Sequence, residues 1–166
     1  TAAALFYLAV YVPATIGAFA VLVYLGRERR PIDTVDQLAG LARTHPWASV
    51  AMAISMFSLT GIPPLAGFWG KLLVFGSALA VPGTAASNAQ AWLVLLAVAG
   101  VLNSVVAAAY YLRVVAVMYF RAPLAAPAPE GGPAPWAAAW ICVALAVGIG
   151  LWSGPLLQAA LQAVQP

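Results

Sequence analysis

Lys71 is the only lysine in the chain, and it lies inside an apolar stretch reaching from about Trp47 to Val81. The residues leading to it read Ser58-Leu59-Thr60-Gly61-Ile62-Pro63-Pro64-Leu65-Ala66-Gly67-Phe68-Trp69-Gly70. An amine in such a place can take up and release a proton. Burial disfavours the charged form, and lysine, unlike arginine, is able to deprotonate. Gly61 and the Pro63-Pro64 pair near the middle of the stretch predict a broken helix. Proline lacks a backbone donor and clashes with the carbonyl four residues back, which leaves the carbonyls of Leu59 and Thr60 without their usual partners. Freed backbone groups at membrane depth persist only where protein or a hydrated cavity satisfies them. A broken span beside a buried base is the pattern of an ion path.

Other chemistry-bearing residues are few. Tyr7, Tyr11 and Thr15 recur every four residues and so share one helix face. They are candidates either for lining a hydrated path or for ordinary hydrogen bonding between helices, and the second reading is the commoner. Asn103 lies about twelve residues into a later apolar run, with Ala107 and Tyr110 on the same face. It is a path candidate turned to the bundle interior, or simply interhelical glue. His45 has no ligand spaced near it and reads as a surface residue, and Cys142 reads as a small core residue. No phosphate loop, nucleophile–base pair or metal-ligand spacing is present, which argues against soluble-type catalysis within the chain.

The elements that must position these residues are membrane helices. Of 166 residues 64% are hydrophobic and only 7% charged, with a mean hydropathy of +0.97. The apolar runs are long and lack the alternation of barrel strands. Four spans are expected: about 3–25, kinked at Pro13; 47–81, interrupted at Gly61–Pro64; 91–120; and 136–153. A short helix lying at the membrane surface is expected over 35–43, because Thr34-Val35-Asp36-Gln37 reads as a capping box followed by an apolar stripe. Residues 82–90 read as an uncharged loop, 122–135 as a flexible Pro- and Gly-rich linker, and the residues after Gly154-Pro155 as a short uncharged tail. The chain opens on Thr1 and runs directly into a helix, so a C-terminal piece of something larger is expected, a processed short subunit being the alternative.

Charge supplies direction. Arg27, Arg29, Arg30, Arg43, Arg113 and Arg121 all fall on one side of the four-span arrangement, and the other side carries no charge. The basic balance is therefore explained by orientation, with the arginine-rich loops in the cytoplasm, and not by nucleic acid. Trp47, Trp92, Trp136, Trp140 and Trp152 near span ends form the expected aromatic belt; Trp69, beside the break, is the exception. Lys71 lies ten residues from Val81, roughly 15 Å of depth at about 1.5 Å per residue. That is too far for its stem to reach the interface alone, and a charged lysine at mid-membrane costs on the order of 3 kcal/mol. Its helical neighbours Gly67, Phe68, Val74 and Phe75 offer no counter-charge. Glu28, Asp33, Asp36 and Glu130 all lie outside the spans, so any carboxylate steering Lys71 must come from elsewhere.

The run from Leu59 to Lys71 resembles the antiporter-like membrane subunits of respiratory complex I and of multisubunit cation/proton antiporters. Tyr7-Leu8-Ala9-Val10-Tyr11, Gly17-Ala18-Phe19-Ala20-Val21, Tyr110-Tyr111-Leu112-Arg113-Val114-Val115 and Met118-Tyr119-Phe120 are similar to the subunit-N family of bacterial NADH-quinone oxidoreductase. The resemblance implies an all-α integral membrane fold of about fourteen helices, of which this chain is the C-terminal part, in the bacterial inner membrane. It implies that Lys71 ends a proton channel on the side leading out of the cell. It also implies other complex I membrane subunits as partners, with NAD, FMN, iron–sulfur clusters and quinone in those partners and no cofactor in this chain. Quinone reduction elsewhere then drives the proton movement. Some sister subunits place histidines in the span matching 3–25, where this chain has Tyr7, Tyr11 and Thr15. Two further readings stay open: a subunit of a cation/proton antiporter or membrane-bound hydrogenase, and a structural membrane subunit with no ion path.

Overall fold

Helix α1, Ala2–Leu25, is the hub of the molecule, packing against four other helices. The computed structural model describes residues 2–26, 32–79, 87–123 and 131–162, and these are helical with no strand among them. After α1 come a short 3-10 turn at Val35–Leu38, α2 at Leu41–Thr44 and α3 at Pro46–Thr60. Then follow α4 at Ala66–Leu79, α5 at Ser87–Phe120, α6 at Pro133–Leu151 and α7 at Ser153–Gln162. Helices α1, α5 and α6 are long and apolar enough to cross a membrane, while α3 and α4 are shorter apolar helices. Together these two supply the interrupted span.

The centre is built from small residues. Ala14 and Ala18 of α1, Ala48 and Ala51 of α3, and Ala139 and Ala146 of α6 are buried. Lipid tails are as apolar as side chains, so helices associate through close backbone approach, which small residues allow. The periphery is correspondingly apolar: Leu8, Phe19 and Val23 of α1 and Leu96, Leu102 and Val105 of α5 are exposed. At about 1.5 Å per residue the 34-residue α5 is roughly 51 Å long, well beyond a hydrocarbon layer of about 30 Å.

Several segments differ from the sequence-based expectation. The single surface helix over 35–43 is instead the 3-10 turn and the four-residue α2, parted at Gly40, whose φ of +67° is left-handed. Leu38 and Leu41 do not face lipid; both are buried in the main core, and the Gly40 N–H donates to the Val117 carbonyl of α5. Gln37 Oε1 accepts the N–H groups of Asp33 and Thr34, the return half of the expected capping box. The expected loop at 82–90 already turns helical at Ser87, extending the third span backwards. Helix α6 starts at Pro133, where proline is at home in a first turn, and stops at Leu151. The expected linker thus loses its last residues to helix, and 124–130 lie outside the described residues, as do Arg27, Glu28, Arg29, Arg30 and Glu130. The expected tail is largely a helix, α7, whose Leu156 and Leu157 pack on Phe6, Val10 and Ala66.

Candidate functional site at the helix break

Helix α3 ends in a Schellman motif. Gly61 adopts φ +89°, its N–H reaches the carbonyls of Phe57 and Ser58, and the Ile62 N–H reaches the Phe57 carbonyl. A left-handed residue one position past the last helical one is the usual place for glycine. The chain then crosses Pro63 and Pro64, both exposed and joined by a cis bond, and re-enters helix at Ala66. The start of α4 is pressed against α3. A Cβ on Gly67 would stand 1.7 Å from the Ser58 carbonyl oxygen, and the Gly67 N–H donates to Ser58 Oγ at 3.3 Å. Trp69 anchors the break from the other side, its indole N–H donating to the Gly150 carbonyl of α6 at 2.9 Å.

Lys71 is half-buried on α4 and folds back across the break. Its Nζ donates to the Thr60 carbonyl at 2.9 Å. This is one of the carbonyls that the proline pair was expected to free. The contact also sets the lysine at the C-terminal, electronegative end of α3, where a cation is favoured by the helix dipole. The stem passes over Gly61, with Cδ 3.1 Å from where a Cβ there would be. The Thr60 hydroxyl is occupied elsewhere, donating to the Met56 carbonyl.

Beside Lys71 lies a cavity of about 10 Å³ whose lining includes Tyr7, Tyr11, Ser58, Gly67 and Lys71. That is about the space a single water molecule needs. Tyr7 and Tyr11 stack with ring centroids 5.5 Å apart. The arrangement brings two phenols and a serine hydroxyl to one amine across a gap that one water can span.

Of the residues singled out from sequence, Lys71, Gly61, Tyr7 and Tyr11 meet here, with Pro63 and Pro64 forming the turn beside them. Thr15 does not join them: its hydroxyl donates back to the Tyr11 carbonyl. Asn103 and Tyr110 do not join them among the described residues: both are exposed on α5, Tyr110 by 67%. The neighbouring Tyr111 is the one that reaches Tyr11. Depth along a helix, the signal available in sequence, cannot choose between adjacent residues whose side chains diverge by about 100°. Ser58 was also missed, being hidden in an apolar run with nothing to show that it caps the next helix.

A helical membrane bundle with one span interrupted at a lysine-bearing break defines the class, and the comparisons agree. Residues 1–107 match the family model described as NADH:quinone oxidoreductase/Mrp antiporter, TM. The chain belongs to this family of antiporter-like membrane proteins. Within it, the chain is similar to NADH-quinone oxidoreductase subunit N of Paramagnetospirillum magneticum, 46% identical over 122 residues, which are 74% of this chain and 23% of that protein. Subunit N of Methylobacterium nodulans is 48% identical over 114 residues, 69% of this chain and 22% of that protein. The chain thus spans under a quarter of the length of these relatives. Among solved structures, a chain of respiratory complex I from Thermus thermophilus with bound aureothin superposes with a TM-score of 0.73 at 39% identity. The match covers 96% of this chain and 34% of that one.

Proposed function

We propose that this chain carries the lysine end of a proton path in a subunit-N-type membrane subunit of NADH-quinone oxidoreductase. The observation that carries the reading is the 2.9 Å contact between Lys71 Nζ and the freed Thr60 carbonyl. An amine held at a helix break by one backbone oxygen, beside a water-sized polar cavity, is placed to exchange a proton without a large rearrangement. The Thr60 carbonyl and the end of the α3 dipole stabilise the ammonium. Tyr7, Tyr11 and one water give it neighbours through which a proton passes. Tyr111 adds a third phenol. No carboxylate among the described residues stands beside Lys71, so the group that drives its proton off belongs to another part of the subunit or to a partner.

On this reading the redox chemistry, with its nicotinamide, flavin, iron–sulfur and quinone groups, belongs to other subunits, and this chain moves protons only. The protein sits in the bacterial inner membrane with its arginine-rich loops in the cytoplasm, as charge asymmetry supports. A second reading, a cation/proton antiporter subunit, is favoured by the family description, which names both kinds of complex. The two differ in what depends on Lys71. In vesicles carrying the complete oxidoreductase, Lys71→Met is expected to abolish or sharply reduce proton uptake per NADH oxidised while the complex still assembles. Unchanged pumping in an assembled Lys71→Met complex would leave a structural subunit as the remaining reading. Loss of sodium- or potassium-coupled exchange without NADH would favour the antiporter.

A further inference from the structure

Trp69, two residues before Lys71, faces the other way. Residues two apart on a helix diverge by about 200°, so α4 turns Lys71 towards α3 and Trp69 towards α6. Gly67 stands four residues before Lys71 and shares its side; its N–H donates to Ser58 Oγ of α3 at 3.3 Å. These two polar contacts therefore reach the same half-span. The indole N–H of Trp69 supplies the contact on the opposite side, donating to the Gly150 carbonyl at 2.9 Å.

That carbonyl is open for a physical reason. Helix α6 ends at Leu151, so Gly150 is among its last four residues, whose carbonyls have no partner within the helix. An unpaired carbonyl inside a membrane is costly. The Thr60 carbonyl at the end of α3 is open in the same way, and Lys71 fills it. Helix α4 is thus strung between the carbonyl ends of two helices, one met by an amine and the other by an indole.

The surroundings of Trp69 hold it closely. Gly150 is buried against the turn, where an added Cβ would collide with the Pro64 carbonyl oxygen and the Ala66 nitrogen. The Trp69 ring packs with Leu73 and Ile149 on the core of Phe6, Val10 and Ala66. On a third side, a Cβ on Gly70 would stand 2.8 Å from Val10 Cγ2 of α1. Apolar contacts carry no direction, so they set how near the helices come more firmly than how α4 is turned. Hydrogen bonds are directional and weaken steeply below about 120°. The bond from Trp69 opposes the rotation of α4 that would carry Lys71 Nζ off the Thr60 carbonyl.

We propose that Trp69 is a positioning residue of the proton path, its indole N–H holding α4 at the rotation that places Lys71 on the Thr60 carbonyl. The assignment rests on Lys71 as the group that carries the proton. Trp69 itself transfers none.

The test uses vesicles with the complete complex and compares four forms with the parent. Trp69→Phe removes the N–H and some ring volume. Benzothienylalanine placed at position 69 by stop-codon suppression keeps the bicyclic ring and lacks only the N–H; 5-fluorotryptophan there keeps both. Lys71→Met is run beside them. The readout is protons moved per NADH oxidised, a ratio that loss of assembled complex does not alter, with passive proton leak measured separately. Trp69→Phe and benzothienylalanine are each expected to lower the ratio at least twofold, with leak and uncoupled NADH oxidation per complex unchanged. The 5-fluorotryptophan form is expected to match the parent. A parental ratio with benzothienylalanine would overturn the role of the N–H, and a loss with 5-fluorotryptophan equal to that with benzothienylalanine would do the same. If Lys71→Met loses pumping while both forms lacking the N–H keep it, only the positioning role falls. A parental ratio in Lys71→Met would overturn the proton path itself, and this role with it.

Discussion

Lys71 Nζ and the Thr60 carbonyl oxygen are 2.9 Å apart, so the base on one half of the interrupted span closes on the backbone of the other half. Eleven residues separate the two along the chain. The contact exists because the proline turn removes the helical donor that would otherwise occupy that carbonyl. A lysine and a helix break are thus one unit, and disturbing either should disturb the other.

Gly61→Ala tests this unit directly. A left-handed conformation costs a non-glycine residue about 1–2 kcal/mol, and the new methyl would meet the lysine stem at 3.1 Å. The substitution is expected to leave the complex assembled but lower the proton-to-electron ratio severalfold, read by pH-dye quenching in vesicles at matched NADH oxidation rates. A ratio equal to the parent's would show that lysine placement does not depend on the turn.

Gly67→Ala should act on assembly. Its Cβ would lie 1.7 Å from the Ser58 carbonyl oxygen, a clash with backbone that no rotamer relieves. The two half-helices must move apart, losing the Gly67–Ser58 hydrogen bond. The subunit is expected to fall to a small fraction of its normal level in membranes by immunoblot. Ser58→Ala, which removes only the cap, should cost about 1 kcal/mol and leave the level close to normal.

The phenols separate from their neighbours by their place in the bundle. Tyr11→Phe and Tyr7→Phe keep the stacked rings and remove only hydroxyls beside the cavity. Each is expected to reduce pumping at least twofold without loss of assembly. Thr15→Val is expected to pump as the parent does, since that hydroxyl serves only its own helix. Equal effects at all three positions would remove any special role for the cavity.

Asp36 and Arg121 join the segment between α1 and α3 to the end of α5 by an ion pair, with both side chains 55% exposed. Pairs this open to solvent contribute about 0–1 kcal/mol. Asp36→Asn should therefore shift the thermal midpoint of the detergent-solubilised complex by no more than a degree or two. A larger loss would mean that the pair is shielded in the assembly.

The membrane class, the interrupted span and the lysine beside it were all legible in the sequence. Each depends on a local rule. A bilayer demands long apolar runs with satisfied backbone, so glycine and proline within such a run must be compensated close by, and charge sorts to the ends. Which way each helix faces was not legible. Lipid and neighbouring helix are equally apolar, so no amphipathic stripe marks the inner side. That is why Tyr111, and not the Tyr110 singled out from sequence, is the residue that reaches Tyr11. For the same reason Leu38 and Leu41 plug the core where a lipid-facing stripe was expected, and the tail after α6 folds back as α7. The sequence by itself determined that a base sits at a break in a membrane helix. Only the packing of α1, α3, α4 and α6 decided that Thr60 receives that base and that Tyr7, Tyr11 and Ser58 surround it, because those neighbours come from distant turns brought together by close contacts of small residues.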